Sequence, residues 1–174
     1  MAWDGMVLAG YPRMEVLDPR AATPEVLHAA MDLEKGAWNF YQAVGRRFPA
    51  APWIAAFADL AAAETAHARI IYRFWAQTQQ EAPPFEALFD RLEGRILEGG
   101  LDLAEAVDRL AALAPDRPLE IIEMALHIEA AAYDLYRTVA EGESLAPQAR
   151  EALLAIAQAE KGHIRILVEA MGRL

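Results

Sequence analysis

Residues 60–70 read LAAAETAHARI, and residues 156–166 read IAQAEKGHIRI. Each run carries a glutamate and a histidine three positions apart, Glu64 with His67 and Glu160 with His163. The surrounding alanines and aliphatic residues recur at three- and four-residue intervals, which is the pattern of a helix with one apolar face. Positions three apart on a helix lie about 60° apart around its axis, so each pair offers an oxygen and a nitrogen to the same side. Phe57, Leu60, Ala61, Ile71 and Phe74 share the stripe of the first pair. Leu153, Ile156 and Leu167 share that of the second. Both pairs are therefore expected to face a core.

Working outward, each pair is preceded by a lone glutamate in a similar segment. DLEKGAWNFYQAVG at 32–45 resembles HIEAAAYDLYRTVA at 127–140, aligning Glu34 with Glu129 and Tyr41 with Tyr136. From Glu34 to Glu64 is 30 residues, and from Glu129 to Glu160 is 31. The chain thus reads as one helical hairpin written twice. Four helices meeting at these positions would bring four carboxylates and two imidazoles together. Such a set can hold two metal ions, and imidazole among the oxygens favours iron or manganese over calcium or magnesium. Ionised glutamates in an apolar core are severely destabilising unless cations or protons neutralise them.

Helix boundaries follow from punctuation. Thr23-Pro24-Glu25 supplies a cap, a first-turn proline and an acid, and predicts a helix to about Gly45. The second helix is expected over about 52–79, after Pro49 and Pro52. Shorter helices are expected over 85–97 and, capped by Asp102, to about 114. Asp116-Arg117-Pro118 opens a third long helix to about 141, and Ala146-Pro147 a fourth to about 172. The roughly 38 residues between the second and third long helices are too many for a tight turn and fit a long crossover. Residues 1–22, with Gly5, Gly10, Pro12 and Pro19 and no helical period, read as an N-terminal arm, leaving 23–174 as the bundle.

Composition bounds the rest. The 174 residues suffice for one domain, and 55% hydrophobic content supplies its core. The formal charge of −10 disfavours nucleic acid and anionic membranes as partners. The absence of cysteine excludes disulfides, zinc ribbons and iron–sulfur clusters. No stretch is apolar enough to span a membrane, and the N-terminus lacks a signal-peptide pattern, so a cytoplasmic location is expected. Tyr41 and Tyr136 each lie seven residues beyond a lone glutamate, about 10.5 Å along the helix. Each is expected to orient a carboxylate on a partner helix instead of its own. His28 and His127 fall off the glutamate stripes and read as surface or packing residues, and Glu123 points away from the Glu129 face and reads as solvated.

Glu34 with Tyr41, Glu64-Thr-Ala-His67, Glu129 with Tyr136 and Glu160-Lys-Gly-His163 together resemble the rubrerythrin-like branch of the ferritin-like di-iron superfamily. The resemblance covers the four long helices over about 24–174, excluding the crossover. It implies an all-α, ferritin-like four-helix bundle and two iron ions, with manganese or zinc as substitutes. Glu64 and Glu160 would bridge the metals, Glu34 and His67 would serve one, and Glu129 and His163 the other. It implies reduction of hydrogen peroxide or dioxygen, and a homodimer. Family members carry a further glutamate three positions after the third-helix glutamate. Here that position is Ala132, so the implied site has six ligands. They also carry a cysteine-ligated iron domain, which this sequence lacks, so electrons would come from a separate donor. The same ligands would serve an iron-binding ferroxidase or storage protein, or persist in a non-catalytic bundle.

Overall fold

A computed structural model describes residues 11–114, 117–143 and 145–174. Among the described residues the regular structure is helical: α1 (Thr23–Arg47), α2 (Ile54–Gln77), α3 (Phe85–Phe89), α4 (Leu103–Ala112), α5 (Pro118–Ala140) and α6 (Pro147–Met171). Prolines stand in the first turns of α1, α5 and α6, where a missing amide hydrogen costs nothing. α1 packs along α2 and α5 along α6, and α2 against α6 joins the two hairpins. The fold is therefore all-α, with four long helices and a connecting segment between the hairpins.

The apolar core has two halves. One gathers Phe40, Tyr41, Phe57, Leu60, Ile121, Ile122 and Leu167, and the other Leu27, Met31, Ile71, Leu135, Tyr136, Leu153 and Ile156. Each long helix contributes to both halves. The point where it passes from one to the other is occupied by Glu34, by Glu64 and His67, by Glu129, or by Glu160 and His163. A polar layer thus crosses the bundle at mid-height, between two apolar layers.

Local expectations for two helices are corrected. The helix expected over 85–97 stops at Phe89, and Gly94, with φ of +54°, turns the chain out of right-handed helix. The segment beyond it is pinned to α1 instead. The Gly94 amide donates to Asp32 Oδ1 at 3.0 Å, and the Asn39 side-chain amide donates to the Gly94 carbonyl at 3.3 Å. Thr23 does not cap α1. It is the first residue of the helix, Ala22 takes the cap position, and the Thr23 hydroxyl accepts from the Ala146 amide at 3.2 Å at the start of α6. Asp102 does cap α4, accepting from the Glu105 amide at 3.1 Å. Asp116 and residues 1–10 of the arm lie outside the described residues.

The described part of the arm is packed. Leu17 is buried, and the Tyr11 hydroxyl donates to the carbonyls of Glu98 (3.1 Å) and His127 (3.0 Å). The Arg13 amide donates to the Gly99 carbonyl at 2.6 Å. Residues 11–17 therefore lie over the turn at 97–101 in the segment between the hairpins.

Candidate metal centre

The six residues singled out by their spacing converge in the polar layer. The four glutamates are at most 2% exposed, His67 is 5% and His163 6% exposed, so solvent does not neutralise them. Their donor atoms form two groups, each with its atoms within 4.8 Å of one another. One is Glu34, Glu64, His67 and Glu160, and the other Glu64, Glu129, Glu160 and His163. Glu64 and Glu160 belong to both. The doubled sequence explains this sharing, because α2 and α6 lie against each other and carry the equivalent glutamates to the shared middle.

The imidazoles present Nδ1 to this middle. His163 Nδ1 lies 2.9 Å from Glu129 Oε2 and 2.8 Å from Glu160 Oε2. His67 Nδ1 lies 3.1 Å from Glu160 Oε1 and 3.4 Å from both Glu34 Oε2 and Glu64 Oε2. None of the His67 contacts has hydrogen-bond geometry, and Glu34 Oε2 and Glu160 Oε2 are likewise buried without a hydrogen bond. The two rings are stacked, with centroids 5.1 Å apart and planes at 18°.

Burial pushes Glu64 well above the ordinary carboxylate range, and the charges of Glu129 and Glu160 push it further. Glu129 is raised to about 8, first by burial and then by Glu160, against the opposing effect of His163. For Glu160 burial acts upward too, but contacts with His163 and His67 outweigh it and hold the carboxyl down at about 2. Burial would lower both histidines. The carboxylates reverse this, raising His163 to about 10 and His67 higher still. Without a cation, burial and the neighbouring charges therefore favour the protonated forms of Glu64, Glu129 and both imidazoles. A divalent cation held there would displace such protons and give the orphaned oxygens and ring nitrogen a partner. Mixed oxygen and imidazole donors suit iron or manganese, so the residues present fit such ions.

The tyrosines sit around this set. Tyr41 on α1 donates its hydroxyl to Glu129 Oε1 on α5, and Tyr136 on α5 donates to Glu34 Oε1 on α1 at 2.5 Å. Both phenols are buried, and burial with the neighbouring carboxylates raises them well above their ordinary range, so they remain donors. Each binds a glutamate of the other hairpin. His127 is exposed, and exposed His28 packs on Trp75 with centroids 6.0 Å apart, so neither joins the cluster. Glu123 is half-buried and one of its oxygens is enclosed, a correction to its reading as a solvated residue.

One carboxylate in this region was not anticipated. Glu98, in the segment between α3 and α4, is 2% exposed, and both of its oxygens are buried without a hydrogen bond. Loops have no periodicity to indicate which side chains turn inward. The available signal was a single acid between Leu97 and Gly99-Gly100-Leu101 in an otherwise apolar stretch.

Comparison with known protein families, curated proteins and solved structures finds no match to this chain.

Proposed function

We propose that the chain is a ferritin-like, rubrerythrin-like non-haem di-iron oxidoreductase that reduces hydrogen peroxide or dioxygen with electrons from a separate donor. The observation that carries this reading is the sharing of Glu64 and Glu160 between the two donor groups. Two adjacent cations need ligands in common, because bridging carboxylates offset their mutual repulsion. A single-metal site has no such need. Four glutamates also match the charge of two divalent cations.

Two Fe(II) ions held there would supply one electron each, and with two protons these convert hydrogen peroxide to two waters. The chain's own residues set the conditions for that chemistry. Glu34 and His67 would hold one ion, Glu129 and His163 the other, and Glu64 and Glu160 both. Tyr136 and Tyr41 fix Glu34 and Glu129 through hydrogen bonds, leaving the second oxygen of each for a metal. The apolar layers on either side limit water and lower the local dielectric, which strengthens each metal–carboxylate interaction.

The test is anaerobic loading with Fe(II), followed by rapid mixing with peroxide or oxygen under optical absorption. Two ions per chain, oxidised with one peroxide consumed per pair, is the expected result. A chain expressed with iron that holds no stoichiometric iron, manganese or zinc would overturn the reading. Faster oxidation by peroxide than by oxygen identifies a peroxidase, and the reverse an oxidase or ferroxidase. Native mass separates a homodimer from the many-subunit shell that iron storage requires.

A further inference from the structure

We propose that Glu98 is a seventh metal-binding residue, a fifth carboxylate that the crossover delivers to the two-metal pocket between α1 and α5. The inference rests on the two-metal reading above, but its observations concern a different part of the chain.

Where α2 and α6 meet directly, α1 and α5 have no comparable packing, and the crossover occupies the space between them. Two close approaches fix it there. A Cβ on Gly36 of α1 would lie 2.1 Å from the Ile96 carbonyl oxygen, so the backbone at Ile96 rests on the bare helix surface. A Cβ on Gly99 would lie 2.5 Å from the Ala131 Cβ of α5. Glu98 lies within this wedge, flanked by Leu97 (fully buried) and by Gly99 at φ +75°. Left-handed backbone of this kind is open to glycine at little cost and reverses the chain immediately after Glu98. The Tyr11 hydroxyl binds the Glu98 carbonyl and the Arg13 amide binds the Gly99 carbonyl, which closes the turn from outside.

The side chain is thereby committed inward. The ionised groups it feels most are Glu34, then Glu160 and Glu129, and both site tyrosines feel its charge in return. No other described residue donates a hydrogen bond to either of its oxygens. A carboxyl buried among carboxylates and left unbonded is strongly disfavoured. A metal ion held in the pocket would supply a partner of opposite charge. Its ordered, three-point clamping is the arrangement expected of a ligand and not of a solvated loop acid. A fifth carboxylate also exceeds the charge of two divalent ions and favours trivalent ones, so it biases the centre toward its oxidised form.

The experiment uses the full chain and Co(II) as probe, titrated under argon and followed by visible absorption, with circular dichroism as the check on folding. In Glu98→Gln the shape is kept and the charge removed. Loss of an outer partner of a metal ligand weakens binding roughly 10- to 100-fold. Loss of a direct ligand should cost at least as much at one of the two positions, with more intense Co(II) bands as coordination number falls. With iron, the reduction potential of E98Q should shift positive. Glu98→Asp keeps the charge but withdraws it by one methylene, and carries the test if E98Q does not fold. Its Co(II) affinity should fall by a similar factor. Unchanged affinity, spectrum and potential in a folded variant would overturn the role of Glu98 while leaving the two-metal reading intact. A parent chain that binds no Co(II) would overturn both.

Discussion

The Tyr136 hydroxyl donates to Glu34 Oε1 across 102 positions of sequence, and Tyr41 returns the same bond to Glu129 across 88. A hydrogen bond to a charged acceptor contributes about 1.5–3 kcal/mol. Here it also selects which carboxylate oxygen stays free. Tyr136→Phe and Tyr41→Phe are expected to keep the fold and weaken metal binding roughly 10- to 100-fold. Each should act more strongly on the ion served by the glutamate it orients. Titration calorimetry resolves this, and identical isotherms for parent and variants would remove the tyrosines from the site.

The sharing of two glutamates predicts unequal stoichiometries. His67 belongs to one donor group only, so His67→Ala should leave the position built by Glu129 and His163 occupied. Glu64 and Glu160 belong to both, so the double variant Glu64→Ala, Glu160→Ala should lose both ions. Metal analysis after dialysis reads these as about one ion and none, against two in the parent. Undiminished metal in the double variant would show that the ions bind elsewhere.

Metal-free protein should lose stability as pH rises. Glu129 is raised to about 8, above its unfolded value, so its protonated form stabilises the fold at low pH and that contribution is lost as pH passes 8. His163, raised to about 10, contributes below its unfolded value and loses that contribution through about pH 10. Glu160, held at about 2, is ionised in both states above about pH 5.5 and adds no slope there. The melting temperature of chelated protein should therefore fall between about pH 6 and pH 9. Metal binding displaces protons and tightens over the same range. At a ligand excess of about 100 Kd, metal should raise the melting temperature by roughly 5–10 °C, and by more at about pH 9 than at about pH 6. A metal-induced shift independent of pH would contradict the proton-holding cluster.

Gly36 tests the clamp on the segment around Ile96. Gly36→Ala drives a methyl into the Ile96 carbonyl and is expected to cost about 1–3 kcal/mol. Gly45, on the same helix, has open space within 4 Å of the point where a methyl would stand, so Gly45→Ala should instead stabilise by roughly 0.5–1 kcal/mol. Denaturant unfolding compares the two, and destabilisation of equal size would assign the effect to the helix and not to the contact with Ile96.

The legible parts of this molecule are those that repeat. Helical spacing placed Glu64 and His67, or Glu160 and His163, on one face. The equivalent offsets brought Glu34 and Glu129 to the same level. The seven-residue step correctly excluded each tyrosine from its own glutamate. What escaped lies where periodicity ends. The short helix expected to run to residue 97 ends at Phe89, and the chain beyond it, with Gly94 in left-handed backbone, follows contacts to α1 that no pattern of apolar residues encodes. Thr23 has the chemistry of a cap but commits its hydroxyl to Ala146, a partner that exists only once the hairpins meet. Glu98 is turned inward by contacts with Gly36, Ala131 and Tyr11, which are remote in sequence.

The division of donors between the hairpins has a consequence for assembly. Each donor group takes three residues from one hairpin and one from the other, and each lone glutamate is held by a tyrosine from across the bundle. A hairpin alone owns no complete position. On the two-metal reading, metal affinity would report how firmly the two halves are docked, and two separately produced halves should recognise each other more tightly when the ion is supplied.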